Sequence, residues 1–183
     1  MSNNERRHRL VWIDCEMTGL DPERDTLLEV AVIITEGDLS EVAEGPNLVI
    51  HHPDDVLNSM NQWCIKHHGE SGLTRAVRSS KITMREAEKQ LLSFVSKHTP
   101  RGSCPLAGNS VGQDAKFLSR YMPELMDYLH YRVVDVSTIM ELNKRWAPEV
   151  DMGAPRKKLN HRALDDIRES IEELRYYKRT VWH

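Results

Sequence analysis

The residues that could do chemistry begin with Asp14-Cys15-Glu16, inside the stretch Leu10 to Met17, which alternates in the manner of a β-strand. Side chains of a strand alternate with a period of two, so Asp14 and Glu16 share one face about 6.6 Å apart along the chain while Cys15 points to the other. Two carboxylates at that spacing repel each other unless a cation sits between them. A hard divalent metal, Mg²⁺ or Mn²⁺, suits such oxygen ligands. The plain alternative is a solvated polar face. The apolar Leu10-Val11-Trp12-Ile13 that leads into the pair reads as core, and this weighs towards a metal site.

Two later groups add to the pair. Asp114 follows the small, glycine-containing turn Gly108-Asn109-Ser110-Val111-Gly112-Gln113 and opens a helix, where an acid also complements the macrodipole. In His161-Arg162-Ala163-Leu164-Asp165-Asp166, a histidine at or just before a helix start and an acid five positions later can look toward one cleft. Taken singly, each is an ordinary helix-start residue. The combination carries the argument.

Asp14-x-Glu16 in a first strand, Asp114 at a helix start and His161-x-Ala163-x-x-Asp166 resemble the four acids and the histidine of the DEDDh 3′-to-5′ exonucleases, which share the RNase H-like fold. Asp14-Cys15-Glu16-Met17-Thr18-Gly19-Leu20-Asp21, Gly108-Asn109-Ser110, His130-Tyr131-Arg132, Asp135-Val136-Ser137-Thr138 and the run from His161 to Ser170 are more narrowly similar to oligoribonucleases. The likeness spans about Val11 to Tyr177. Asp-x-Glu alone would be weak, but together the motifs are specific.

The resemblance implies an exonuclease that degrades very short RNA to nucleoside 5′-monophosphates. Asp14, Glu16, Asp114 and Asp166 would hold two divalent ions, Mg²⁺ or Mn²⁺, at the scissile phosphate, and His161 would be the general base. Leu20 would wedge against the terminal bases and Trp63 would stack on one, although both residue types also suit a core. Ser110, Arg132, Ser137 and Thr138 would contact the 5′ phosphate, their ordinary readings being N-capping and a strand-edge ion pair. Tyr131 would reach into the site of a second subunit, which makes a homodimer part of the active site. His51-His52, His67-His68 and Arg156-Lys157-Lys158 are read as background, and Asp135 as structural.

The elements that must position these residues follow from periodicity. Leu27 to Thr35 is a nearly continuous apolar run suited to a buried strand, and Leu48-Val49-Ile50 is a third strand of an antiparallel meander. Asp21-Pro22 and Glu44-Gly45-Pro46 supply the turn signals. Thr83-Met84-Arg85-Glu86 has the form of a capping box, after which Met84, Ala87, Leu91, Phe94 and Val95 recur at helical spacing. Pro105 to Gly108 and Tyr131 to Val136 are short strands, each leading to a helix. The last helix carries Leu164, Ile167, Ile171 and Leu174 on one stripe. Strands first and strand/helix alternation later predict an α/β fold, a mixed sheet of five strands in the exonuclease pattern flanked by helices. No linker or repeat divides the chain, so residues 1–183 are read as one exonuclease domain with a flexible stretch over 1–9.

The composition is consistent with this. The chain of 183 residues is 39% hydrophobic and 29% charged, which excludes fibrous and wholly disordered classes. Lys and Arg number 25 against 28 Asp and Glu, a formal charge of −3, so no positive track for a long polyanion exists. Metal ions in a small pocket would supply the missing charge locally. Three widely spaced cysteines form no disulfide or zinc pattern, and the N-terminal stretch lacks the apolar segment of a secretory signal. The protein is therefore expected inside the cell, in cytoplasm or mitochondrial matrix, away from the membrane. Two alternatives stay open at this level: a proofreading-type DNA exonuclease with the same chemistry, and a non-catalytic nucleic-acid-binding module of the same fold.

An unperturbed histidine titrates near pH 6.5, so protonating His161 removes the proposed base. The rate of RNA dinucleotide hydrolysis is expected to fall as pH drops through about 6.5. That acid limb should be missing from the residual activity of His161→Ala; if the variant keeps it unchanged, the base lies elsewhere.

Overall fold

The computed structural model describes residues 5–155 and 162–182. Strands β1 (Leu10–Met17), β2 (Leu27–Thr35) and β3 (Glu41–Val49) form the antiparallel meander. Four helices follow: α1 (Asp54–Asn58), α2 (Gln62–Glu70), α3 (Leu73–Ser79) and α4 (Met84–His98). The chain then alternates through β4 (Pro105–Gly108), α5 (Gly112–Tyr121), α6 (Pro123–Tyr128), β5 (His130–Asp135), α7 (Val136–Trp146), α8 (Pro148–Met152) and α9 (Ala163–Val181). The sheet order is β3-β2-β1-β4-β5, with β4 and β5 parallel to β1. This is the mixed five-stranded sheet expected from the sequence.

Alternation along β1 divides the core. Val11, Ile13 and Cys15 pack with Leu91, Val95, Phe117 and Leu118, on the face covered by α4, α5 and α6. Trp12 packs with Ile167, Ile171, Leu174 and Tyr177 of α9 and with Val136 of α7, on the opposite face. Asp14 and Glu16 therefore lie on the α9 side, past the apolar part of the strand. Leu28, Leu57, Cys64, Leu73 and Val77 form a smaller cluster that seats α1 to α3. All three cysteines are buried free thiols, and burial above all raises the Cys15 thiol pKa.

The capping box at Thr83 is formed, with Glu86 accepting from the Thr83 backbone and Thr83 from Glu86. The turn expected at Glu44-Gly45-Pro46 is not. Those residues lie inside β3, which begins at Glu41 rather than Leu48. The reversal occurs earlier, where Glu36 N–H bonds Ser40 O and Leu39 takes a positive φ of 77°. Pro46 is tolerated because β3 is an edge strand, and Gly45-Pro46 bulges against the single residue Val32 of β2. A Cβ on Gly45 would lie 2.5 Å from Val32 Cγ1, so the close approach requires glycine. Ile50 lies past the end of β3, where it makes an isolated bridge to Ile82 and its N–H bonds Leu28 O. Within the stretch expected to be flexible, Glu5–His8 is a 3-10 turn, and buried Arg9 bonds Glu36 and His98 O.

A second charged pair reaches into this apolar interior. Glu29 is fully buried in β2, and the Arg162 guanidinium clasps its two carboxylate oxygens at 2.7 to 3.2 Å just ahead of α9. Ala163 N–H also bonds Glu29, so the carboxylate caps the first turn of α9. Removing one partner leaves a buried charge unmatched. Arg162→Ala is expected to lower the free energy of unfolding by about 3 kcal/mol in urea titrations. The double replacement Glu29→Leu with Arg162→Met should recover most of it, because apolar residues of similar volume incur no charge desolvation.

Candidate active site

Three carboxylates converge at the end of β1. Asp14 and Glu16 project from the strand and Asp166 from the first turn of α9, and one oxygen of each lies within 4.8 Å of the other two. Asp114, in the first turn of α5, comes from the other side of the sheet. It is buried and accepts the Cys15 N–H at 3.0 Å, so it is keyed to the backbone between the two strand acids. β1 has lost its β4 neighbour by this point, since the last paired residue is Trp12. Asp114 thus takes an N–H that would otherwise lack a strand partner.

The crowding has an electrostatic signature. Burial, and then the charges of Asp166, Glu29 and Asp114, push the Glu16 pKa up to about 8. Glu29 contributes because it stands opposite Glu16 in the β1/β2 register. Asp114 is also raised, chiefly by burial. A crowded set of partly buried oxygen donors fits hard divalent cations, which need such ligands and remove the repulsion.

Beside the acids opens a cavity of about 420 Å³ whose walls include Glu16, Met17, Leu20, Trp63, Cys64 and His68. Leu20 is 75% exposed and Trp63 56%, so neither belongs to the core. Leu20 rides on a loop braced by Asp25, whose carboxylate accepts from Thr18 Oγ1 and Asp21 N, and Gln113 donates to Leu20 O. A Cβ on Gly19 would lie 2.3 Å from Asp25 Oδ2, so only glycine lets the loop close on that carboxylate. Trp63 stands in the first turn of α2, where Asn61 caps the helix and the His67 ring lies 4.1 Å from the indole.

Ser110 and Ser137, far apart in sequence, meet at the ends of β4 and α7 with their hydroxyls 3.1 Å apart. Asp135 accepts from both Ser110 N and Ser137 N, the structural role expected of it. Thr138 lies beside Ser137, on a shallow cavity of about 400 Å³ that also includes Arg145. Tyr131 and Arg132 lie on the exposed edge strand β5, with the Arg132 guanidinium 5.1 Å from the centre of the Tyr131 ring. His161 and the Arg156-Lys157-Lys158 cluster lie outside the described residues.

A family profile described as "Exonuclease" matches residues 11–174. The chain is 57% identical over 174 residues to the mitochondrial oligoribonuclease of Homo sapiens, covering 95% of this chain and 73% of that protein. The chain belongs to the oligoribonuclease family of exonucleases. It is 56% identical to a probable oligoribonuclease of Dictyostelium discoideum, over 98% of this chain and 93% of that one. With the oligoribonuclease of Pseudoalteromonas atlantica the identity is 55%, over 95% and 96%. Among solved structures, exonuclease I of Methylocaldum szegediense superposes with a TM-score of 0.72 at 22% identity, covering 94% of this chain and 41% of that one. A zinc-bound complex of E. coli exonuclease I with single-stranded DNA gives 0.75 at 14%, again over 94% and 41%. The present chain thus spans about two fifths of those longer proteins, and the likeness establishes the shared exonuclease fold.

Membership of the oligoribonuclease family makes the chain a nuclease, yet two of its site-shaping residues escape a motif reading. His68, taken as background, is buried with Nε2 2.8 Å from Met17 O and Nδ1 3.9 Å from Glu16 Oε2. It joins α2, and with it Trp63, to the acid-bearing strand. Glu29 carries a signal of its own, being the one acid in a fully buried strand. His51 and His52 bond the backbone carbonyls of Val77 and Leu27.

Because Glu16 is protonated more readily folded than unfolded, its contribution to stability falls as pH rises from 4.5 towards about 8. A divalent ion must displace that proton. In thermal melts, Mn²⁺ is expected to raise Tm more at pH 8 than at pH 6, and Glu16→Gln should shrink the difference to the part that Asp114, raised to about 7, contributes. Equal increments at both pH values would show that Glu16 is not a ligand.

Proposed function

We propose that the chain, residues 1–183 acting as one exonuclease domain, is a 3′-to-5′ exoribonuclease that degrades very short RNA, dinucleotides above all, to nucleoside 5′-monophosphates. The observation that carries this reading is the three-carboxylate cluster at the edge of a cavity walled by Leu20 and Trp63, in a chain over half identical to oligoribonucleases. Acids alone would suit many phosphate-cleaving sites. A flanking exposed indole and leucyl side chain suit bases, which stack without regard to sequence.

Asp14, Glu16 and Asp166, with Asp114 behind them, would hold two divalent ions, Mg²⁺ or Mn²⁺. When bound, these ions supply charge stabilisation at the phosphate and lower the pKa of a water. His161 accepts the proton of the attacking water at an imidazole nitrogen. Asp114 fixes the β1 backbone between Asp14 and Glu16, which keeps the two side chains aimed at one point. Leu20 separates the bases and Trp63 stacks on one, held at its angle by His67. Ser110, Ser137, Thr138 and Arg132 take the 5′ phosphate. A pocket that engages both ends of a dinucleotide needs few phosphate contacts, which reconciles RNA binding with a net charge of −3.

The active form is a homodimer. β5 leaves a sheet edge open, and beside it Tyr131 is 80% exposed, with Val133, Leu142 and Trp146 also turned outward. An open edge next to exposed apolar side chains is a surface that a second copy covers. Tyr131 then lies across the interface at the partner's phosphate. No described helix is long and apolar enough to cross a membrane. We place the protein in the cytoplasm or the mitochondrial matrix, the latter in keeping with relatives named mitochondrial.

The test is hydrolysis of a 5′-labelled RNA dinucleotide with Mg²⁺ or Mn²⁺, compared with longer RNA and with DNA, while light scattering reports the dimer. Chelator should stop turnover, and Asp114→Asn should reduce it roughly a hundredfold. Trp63→Ala should raise KM about tenfold, since stacking contributes roughly 1 to 3 kcal/mol per base. Turnover indifferent to chelator and to Asp114→Asn would remove the metal reading, and a preference for DNA would replace the substrate.

A further inference from the structure

The two ends of the proposed dinucleotide site are carried by different elements, the acid Asp166 by α9 and the serine hydroxyls by the β4/α5 turn and α7. A continuous hydrogen-bonded path joins them through one residue. Ser110 N–H donates to Ser137 Oγ at 2.9 Å, and Ser137 O–H donates to Asn109 Oδ1 at 3.0 Å. The Asn109 amide then donates to Glu173 Oε2 at 2.8 Å and to Ser170 Oγ at 3.1 Å. Ser170 O–H donates in turn to Asp166 O, at 2.9 Å, and Tyr177 O–H to the other Glu173 oxygen, at 3.1 Å. Ser170, Glu173 and Tyr177 are all buried.

The chemistry of the partners determines the orientation of the amide. A carboxylate only accepts, so the NH₂ of Asn109 must face Glu173 and its oxygen must face Ser137. Each donor in the path then meets an acceptor. Ser110, held at a positive φ of 52°, sits at one end of this path, and the backbone of Asp166 at the other. A buried and satisfied polar network specifies one arrangement where apolar packing between α7 and α9 would allow small slips.

We propose that Asn109 is a positioning residue that fixes the span between the phosphate-binding hydroxyls and the metal-binding helix, and so sets the preference for dinucleotides over longer RNA. The proposal rests on the reading of Ser110 and Ser137 as 5′-phosphate contacts. A dinucleotide must engage both ends at once, so an error in their spacing acts directly on its binding. In a longer RNA the 5′ phosphate lies beyond these hydroxyls, and the span matters less.

The experiment measures kcat and KM for a 5′-phosphorylated RNA dinucleotide and for a five-nucleotide RNA. Asn109→Asp sets a carboxylate against Glu173 and is expected to lower the ratio of kcat/KM values, dinucleotide over pentamer, about tenfold, the size of one lost hydrogen bond to a charged group. The loss should fall on the dinucleotide KM. Adding Glu173→Gln returns a donor to face the introduced carboxylate and should restore most of the ratio, which a purely structural lesion would not allow. Should Asn109→Asp fail to fold, Asn109→Ser, too short to span the gap, takes its place with the same tenfold expectation. An unchanged ratio in the folded variant, an equal loss on both substrates, or no recovery on adding Glu173→Gln to a folded Asn109→Asp overturns the role of Asn109. A wild-type protein with no preference for the 5′-phosphorylated dinucleotide overturns the phosphate-site reading itself, and the two failures are thereby told apart.

Discussion

Repulsion among carboxylates at the end of β1 is the constraint around which the molecule is organised. Asp14, Glu16 and Asp166 have oxygens within 4.8 Å of one another, Asp114 is buried against the Cys15 amide, and Glu29 stands across the sheet from Glu16. Bringing these charges together is unfavourable in the absence of cations, and burial first, then the neighbouring carboxylates, push the Glu16 pKa up to about 8. The surrounding structure has to supply the energy that holds them in place. It does so with apolar packing on both faces of a central strand and with a fixed cation, Arg162, assigned to the acid that the proposed metals would not reach.

This division of labour separates structural charge from chemical charge. Glu29 is fully buried and matched within the protein by Arg162 and the Ala163 amide, which seat the first turn of α9. Asp166, one turn further along that helix, meets Asp14 and Glu16 instead. The anchor and the proposed metal ligand are thus separated by a single helical turn, and the position of one follows from that of the other. His68 has the equivalent part on the opposite wall, where it ties α2 to Met17 O and carries Trp63 to the rim of the same cavity. The proposed base-binding side chain and the acid-bearing strand therefore share one rigid support.

Much of this was legible from local pattern. The period of two in β1 places Asp14 and Glu16 on one face whatever the rest of the chain does, and the capping box at Thr83 is a contact between residues three apart. The stripe Ile167, Ile171 and Leu174 similarly indicates which side of α9 is buried. The turn placed at Glu44-Gly45-Pro46 misread a non-local fact as a local one. Glycine and proline there serve a bulge in an edge strand, and only the pairing of β3 with β2 reveals that the chain runs straight through.

Residue types, the faces they share and, through the motifs, the oligoribonuclease family all follow from the order of amino acids, because these depend on chemistry and on spacing within one element. Which groups act together is a property of the folded chain. Folding sets Arg162 on Glu29 across 133 positions, His68 beside Glu16 and Met17, and Asn109 between Ser137 and Glu173. Such pairings have no signature in a local window. They arise where the sheet order β3-β2-β1-β4-β5 and the return of α9 onto its face bring distant segments within hydrogen-bonding reach.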